Sequence, residues 1–237
     1  MPAFFADYPY LGATILTLMP VLVALALAPP MRPGLLAAGA IETLHAPFCA
    51  MFQEVYWTPR RLWDLPFGVE DVLICFALGG GVWLAASLPF PGRISRPRGS
   101  PGWPKRLLAA LVLPVSPAVA LRLVGYGLME SLILATLATA AALALRRPGL
   151  RPLAGAALVL FVPVYAALLA LEVWLIPELA AIWTGPELWG ARLLQVPLDE
   201  LAWAVSFAVG YPLVLGYVLD IRLHPRATRI ESRTGAS

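Results

Sequence analysis

Two pairs of adjacent acids, Glu70-Asp71 and Asp199-Glu200, each stand at the head of a long apolar block. A carboxyl in apolar surroundings can stay protonated near neutral pH and hand the proton on. Two such groups can serve as general acid and general base. Successive residues point about 100° apart on a helix, so one acid of each pair can face a bundle interior while its neighbour faces elsewhere. A simpler role exists for one pair alone. The partial positive charge at a helix N-terminus favours carboxylates, so the acids could be caps.

The surroundings of the pairs are duplicated as well. Trp57-Thr58-Pro59-Arg60-Arg61-Leu62-Trp63 matches Trp183-Thr184-Gly185-Pro186-Glu187-Leu188-Trp189 in the pattern W-T-x-x-x-L-W. The first tryptophan precedes the first acid by 13 residues in one copy and 16 in the other. Either match alone is within reach of chance. Both, in the same order, argue for an internal repeat. Tryptophans at these places suit the headgroup level of a membrane.

Four further ionisable residues, Glu42, His45, Glu130 and Glu172, sit inside or beside apolar blocks. Intramembrane charges are costly and default to functional hypotheses. Glu42 and His45, spaced i, i+3, share a helix face. As E-x-x-H they supply half of a di-iron carboxylate site. The only other histidine is His224, near the C-terminus, so no metal is expected. A polar stripe facing the interior is the simpler account. Cys49 and Cys75 lie in apolar context and read as small buried hydrophobes.

These residues need a scaffold, and composition names it. Of the 237 residues, 60% are hydrophobic and 13% charged. A soluble domain carries about 25% charged residues. Seven apolar blocks, at 11–31, 34–54, 69–90, 106–124, 127–146, 152–176 and 197–220, each approach the roughly 20 residues that cross a bilayer. The second holds Glu42, His45 and Pro47 and has the weakest signal. The first residues lack a basic n-region, so the first block is expected to stay in the membrane.

Charge supports seven spans. Of the 17 Lys+Arg, only Arg60, Arg61 and Arg192 fall on one side, with Arg122 near the end of the fourth block. The rest, including Arg32, Arg93, Arg96, Arg98, Lys105, Arg106, Arg146, Arg147, Arg151, Arg222, Arg226, Arg229 and Arg233, fall on the other. The positive-inside rule then places the N-terminus outside and the C-terminus inside. The basic balance is a topology signal and implies no nucleic-acid partner. Arginine in place of lysine suggests a GC-rich, bacterial source, hence a bacterial inner membrane.

The expected fold is an all-α, polytopic membrane helix bundle. It forms a single transmembrane domain over 1–221, followed by a polar cytoplasmic tail over 222–237. Repeat halves span about 11–90 and 127–220, with a connecting helix over about 106–124. That extra helix lets both acid pairs enter from the same, outer side. The halves can then be related by an axis along the membrane normal.

The stretches YWTPRRLWDLPFGVEDVLICFALGG and VPLDELAWAVSFAVG resemble the lycopene cyclase domain family, the small membrane type with two related halves. That family carries a P-x-E-E/D motif followed by aromatics in each half. Pro197-Leu198-Asp199-Glu200 with Trp203 fits, with Asp for the first Glu. In the first copy Phe67-Gly68-Val69 separates Pro66 from Glu70-Asp71, and Ile74 takes the aromatic place.

The resemblance implies cofactor-free isomerisation of a linear carotenoid. An acid protonates the terminal double bond, a neighbouring double bond closes a six-membered ring, and a base removes a proton. Glu70, Asp71, Asp199 and Glu200 would be the acids and bases. Trp57, Trp63, Trp183 and Trp203 would line the pocket, with Glu42 and His45 also contacting the substrate. The implied partners are the lipid bilayer and a hydrophobic isoprenoid or carotenoid, with room for an oligomer or a membrane-complex partner. The alternative is a non-catalytic membrane subunit that binds carotenoid or lipid, and a third is a proton-coupled carrier. A retinal Schiff base is excluded, because the last block has no lysine. The metalloprotease H-E-x-x-H and hydrolase G-x-S-x-G motifs are absent.

Overall fold

An apolar segment in a bilayer must satisfy its backbone polar groups internally, which leaves the helix as its open form. The computed structural model, which describes residues 3–63, 65–96 and 101–225, meets that demand with seven helical segments long and apolar enough to cross a membrane. We label their α-helical parts α1 (Pro9–Leu27), α2 (Arg32–Glu42, within the longer span Pro29–Phe52), α3 (Val69–Ser87), α4 (Trp103–Leu123), α5 (Leu128–Arg146), α6 (Arg151–Leu175, within Pro148–Leu175) and α7 (Leu198–Val218). The chain is a multi-pass, nearly all-α bundle, as the apolar blocks predict. Arg98, Arg226, Arg229, Arg233 and the rest of 226–237 lie outside the described residues.

Prolines open several helices at the first or second position, where the missing N–H costs nothing. Others, Pro20, Pro114, Pro117, Pro163 and Pro212, sit inside helices that continue past them. The expected break between the fourth and fifth spans is a tight turn in which Gly125 takes φ +97, a backbone conformation other residues rarely adopt.

The second span is where the structure adds most. Beyond Glu42 the α-helix tightens into a 3-10 helix over Thr43–Phe52 that contains Pro47. In a 3-10 helix, residues three apart eclipse one another. Glu42, His45, Phe48 and Met51 therefore fall on one face.

Helices α3 and α7 are the most buried spans and form the centre. Helix α3 packs on α1, α2 and α6; helix α7 packs on α5 and α6 and touches α3 and α4. Gly79 lets α2 and α3 approach closely. A Cβ there would lie 2.6 Å from Glu42 Cβ and 2.7 Å from Ala38 O. Small residues of this kind let membrane helices meet backbone to backbone. Helix α4 is peripheral: only Ala110 is buried, and it leans on α5 and α7.

At the arginine-rich end, two-residue strands β1 (Ile94–Ser95) and β4 (Arg222–Leu223) pair antiparallel. Ser95 Oγ meets His224 Nε2 at 2.7 Å, and Arg147 donates to Asp220 Oδ1 at 2.7 Å. The start of the polar tail is thus held against the connection between α3 and α4. A second small ribbon, β2 (Arg192–Leu193) with β3 (Val196–Pro197), leads into α7 at the opposite end.

Candidate active site

The two W-T elements meet each other at the acidic end of the bundle. Thr58 N donates to Ile182 O at 2.8 Å, and Gly185 N to Tyr56 O at 3.2 Å. The hydroxyls of Thr58 and Thr184 are 2.9 Å apart. A Cβ on Gly185 would run into the Val55 carbonyl, so only glycine allows this approach. The connections preceding α3 and α7 thereby form one lid, with both acid pairs beneath it.

The first acid of each pair ties its helix to its own element. Glu70 Oε1 accepts from Leu62 N at 2.6 Å, and Asp199 Oδ2 from Trp189 N at 3.3 Å. Both acids are fully buried, and each leaves its other oxygen without a hydrogen-bond partner.

The second acids differ, and the difference traces to one position of the element. Arg61 in the first W-T element stands at the position that Glu187 holds in the second. Arg61 donates to Asp71 at 2.7 Å and 3.2 Å through Nε and Nη2. Asp71 also accepts from Tyr10 Oη at 3.0 Å and from Gly68 N at 2.7 Å, the latter capping α3. Burial works against the Arg61 charge, but the Asp71 bonds outweigh it and hold Arg61 above its ordinary value. Asp71 is therefore a neutralised, saturated carboxylate.

Glu187 turns away, pairing with Arg122 at 2.6 Å and accepting from Leu128 N at 2.6 Å. Among the described residues, Glu200 has no ion-pair partner. Tyr56 donates to its Oε2 at 3.0 Å and Tyr165 to its Oε1 at 2.9 Å. Burial first, then the neighbouring Glu200 and Asp199 charges, push the Tyr56 phenol well up, so it remains a neutral donor.

Glu200 faces a cavity of about 420 Å³. That volume lies within the range of small-molecule sites, about 300–1,000 Å³. Along α7 the lining runs from Glu200 to Val214, roughly 20 Å at about 1.5 Å per residue. The wall is mostly apolar and rich in rings. Trp203 stacks on Phe207 at 4.9 Å, Phe207 on Tyr211 at 5.0 Å, and Tyr165 meets Trp203 edge-on at 6.2 Å. Helices α2 and α4 flank the cavity without packing extensively on each other.

Of the acids singled out by sequence, Glu200 lines this cavity; Glu70, Asp71 and Asp199 do not. Trp57, Trp183 and Trp203 line it, whereas Trp63 is 58% exposed at the surface. Glu42 and His45 line it from the 3-10 face, together with Phe48 and Met51. Glu42 Oε2 and His45 Nδ1 are 3.2 Å apart, yet neither is aligned for a hydrogen bond. Among the described residues, no group of three or more His, Cys, Asp and Glu is placed to hold a metal.

Sequence reasoning missed Tyr56 and Tyr165 as carboxyl partners and Arg61 as the neutraliser of Asp71. The exchange of Arg61 for Glu187 between otherwise matching elements was the available signal. Glu172, noticed as an intramembrane charge, also reaches the cavity.

Fold and site together define a multi-pass membrane bundle with a carboxyl group presented to an aromatic-lined cavity. Over residues 127–218 the chain matches the family model for lycopene cyclase, which upholds the resemblance drawn from the motifs. The match runs across α5, α6 and α7 and includes Tyr165, Glu172, Trp183, Asp199, Glu200 and Trp203. It supports a carotenoid-cyclase-like role in general, and with it a lipid environment and a hydrophobic isoprenoid ligand. No curated protein and no solved structure matches the chain.

Proposed function

We propose that this protein closes the end ring of a linear carotenoid by proton-initiated cyclisation, with Glu200 as a reacting carboxyl. The observation that carries the reading is the un-neutralised Glu200, held by two phenol hydroxyls against stacked rings in an apolar cavity. Protonating an alkene needs a carboxyl in a water-poor site, and the resulting cation needs π faces rather than water around it. Trp203 and Tyr165, which line the cavity with Glu200, would supply those faces. A carotenoid is about as long as the bilayer is thick, so its end group would occupy the cavity while the polyene runs on between α2 and α4 into lipid.

In this reading Asp71 and Glu70 hold the lid, and the two halves descend from one three-helix unit with α4 as the connector. The lid faces outward and the arginine-rich end faces the cytoplasm of a bacterial cell, as the basic residues direct.

The test is expression in cells that accumulate a linear carotenoid, with pigment analysis. The native cyclic product is expected from the native chain, and at most about a hundredth as much of that same product from Glu200→Gln, within the usual range for a lost acid–base group. A well-folded native protein that makes no cyclic product overturns the reading. Co-purification with pigment but no turnover would instead make it a binding subunit.

A further inference from the structure

Cyclisation needs one carboxyl that arrives with a proton and another that leaves with it. The two acid pairs supply only Glu200 to the cavity. Two further carboxyls line it: Glu42, 3.2 Å from His45 on the 3-10 face, and Glu172, which stands apart from any basic group among the described residues. Glu172 on α6 is 1% exposed and lines the same cavity as Glu200. Its Oε1 accepts from Thr17 Oγ1 of α1 at 2.7 Å, and its Oε2 has no hydrogen-bond partner.

We propose that Glu172 is the proton donor of this site and that Glu200 is its carboxylate partner, which holds the cation and takes the final proton. The assignment rests on the cyclase reading above. Hydrogen bonding separates the roles. Glu200 has a hydroxyl donor on each oxygen, the arrangement that favours an ionised carboxylate. Glu172 has one donor on one oxygen, and its other oxygen is buried against an apolar wall. Burying an oxygen without a partner is costly, and carrying a proton as O–H at Oε2 removes the charge there.

The step balances. The Glu172 O–H bond breaks as a C–H bond forms at the less substituted carbon of the terminal double bond. The tertiary cation is attacked by the neighbouring double bond, which closes the ring and moves the charge onto a ring carbon. Glu200 then takes a proton from a carbon beside that charge, and the C–H electron pair becomes the ring double bond. The product is an isomer, and one proton has moved from Glu172 to Glu200. Tyr165, bonded to Glu200 and seven residues from Glu172 on the same helix face, lies on the return path.

The experiment supplies a linear carotenoid to membranes holding the full chain in deuterated buffer, and reads deuterium in recovered substrate and products by mass spectrometry. The native chain is expected to place one deuterium per closed ring. Glu172→Gln is expected to lower incorporation into every carotenoid at least 100-fold. Glu200→Gln is expected to keep incorporation within tenfold while shifting products towards altered proton loss or water capture. Glu172→Asp should keep the native product pattern at a lower rate. Thr17→Val, which keeps the carboxyl, should slow turnover several-fold with products unchanged, and it stands in if Glu172→Gln fails to fold. Native-level incorporation by Glu172→Gln, or by Thr17→Val if it stands in, overturns the assignment. So does a folded Glu200→Gln that incorporates nothing. No cyclic product from the native chain overturns the cyclase reading and this assignment with it. Cyclisation that survives Glu172→Gln overturns this assignment alone.

Discussion

The hydroxyls of Thr58 and Thr184 lie 2.9 Å apart, so the matching residues of two sequence-similar elements touch each other. The contact binds the connection before α3 to the connection before α7. It sets the two helices that carry the acid pairs side by side under one lid. Among the described glycines, the tightest backbone crossing is one residue away, where Gly185 passes Val55 and Tyr56.

Gly185→Ala should therefore be more damaging than loss of the threonine bond. A methyl group cannot fit against a carbonyl, and forced overpacking costs about 1–3 kcal/mol or more. The Thr58→Val, Thr184→Val pair removes one exposed hydrogen bond, worth about 0.5–1.5 kcal/mol. Thermal unfolding in detergent checks the order. A Gly185→Ala protein as stable as the native one would refute the close crossing.

Arg61→Ala should destabilise the protein by about 3–5 kcal/mol, because it leaves Asp71 buried, charged and short of its ion-pair partner. Adding Asp71→Leu should recover much of the loss, since the remaining charge is then gone. A double-mutant cycle by unfolding in detergent reads the coupling. Additive losses would show that the pair does not interact as the 2.7 Å contact indicates.

Much of this was legible in the sequence. The seven spans follow from block length and from the gaps between the blocks. The W-T elements and acid pairs are visible in the sequence as matching segments. The division of labour between the pairs was not legible, because it depends on which way Arg61 and Glu187 turn, and that is fixed by partners distant in sequence. Tyr165 reaches Glu200 across 35 residues, Tyr56 across 144, and Thr17 reaches Glu172 across 155. No local pattern encodes such contacts. The 3-10 tightening after Glu42 was hidden too, because an i, i+3 pair fits an α-helix equally well.

Away from the cavity, the Arg147–Asp220 pair gives the arginine-rich end a pH signature. The Arg147 hydrogen bond holds the Asp220 carboxyl below its ordinary range, outweighing partial burial. A folded value below the unfolded one, about 3.9, means the contribution is complete above that pH. It is lost as pH falls towards the folded value. Asp220 takes φ +51, which asparagine tolerates, so Asp220→Asn is the suitable variant. Its melting temperature should sit below the native one by a constant gap from pH 5 to 8. The gap should narrow below about pH 4 and shrink with added salt. A gap independent of pH would refute the charge contribution.

Tyr56→Phe and Tyr165→Phe each remove one hydroxyl from Glu200. A hydrogen bond to a charged group is worth about 1.5–3 kcal/mol, so each should lower turnover roughly tenfold to a hundredfold. The two donors share one carboxyl, so the double variant should not lose the product of the single effects. Initial-rate measurements on pigment conversion check this. Full multiplicativity would mean that the phenols act on different groups.

The last expectation concerns the cavity itself. Ala118 lies on α4, the least buried span, and its small side chain is part of the cavity wall. An indole at this position would project into space bounded by the α7 rings, while the outer face of α4 would be unchanged. Because α4 packs mainly on α5, the cost to folding should be small. Ala118→Trp should therefore leave the melting temperature within a few degrees of native while abolishing both pigment binding and conversion. Val159→Trp gives the control, since Val159 is 69% exposed on α6 and outside the cavity lining. If Ala118→Trp still binds and converts pigment like the native chain, the ligand does not enter between α2 and α4, and the cavity is not the site of reaction.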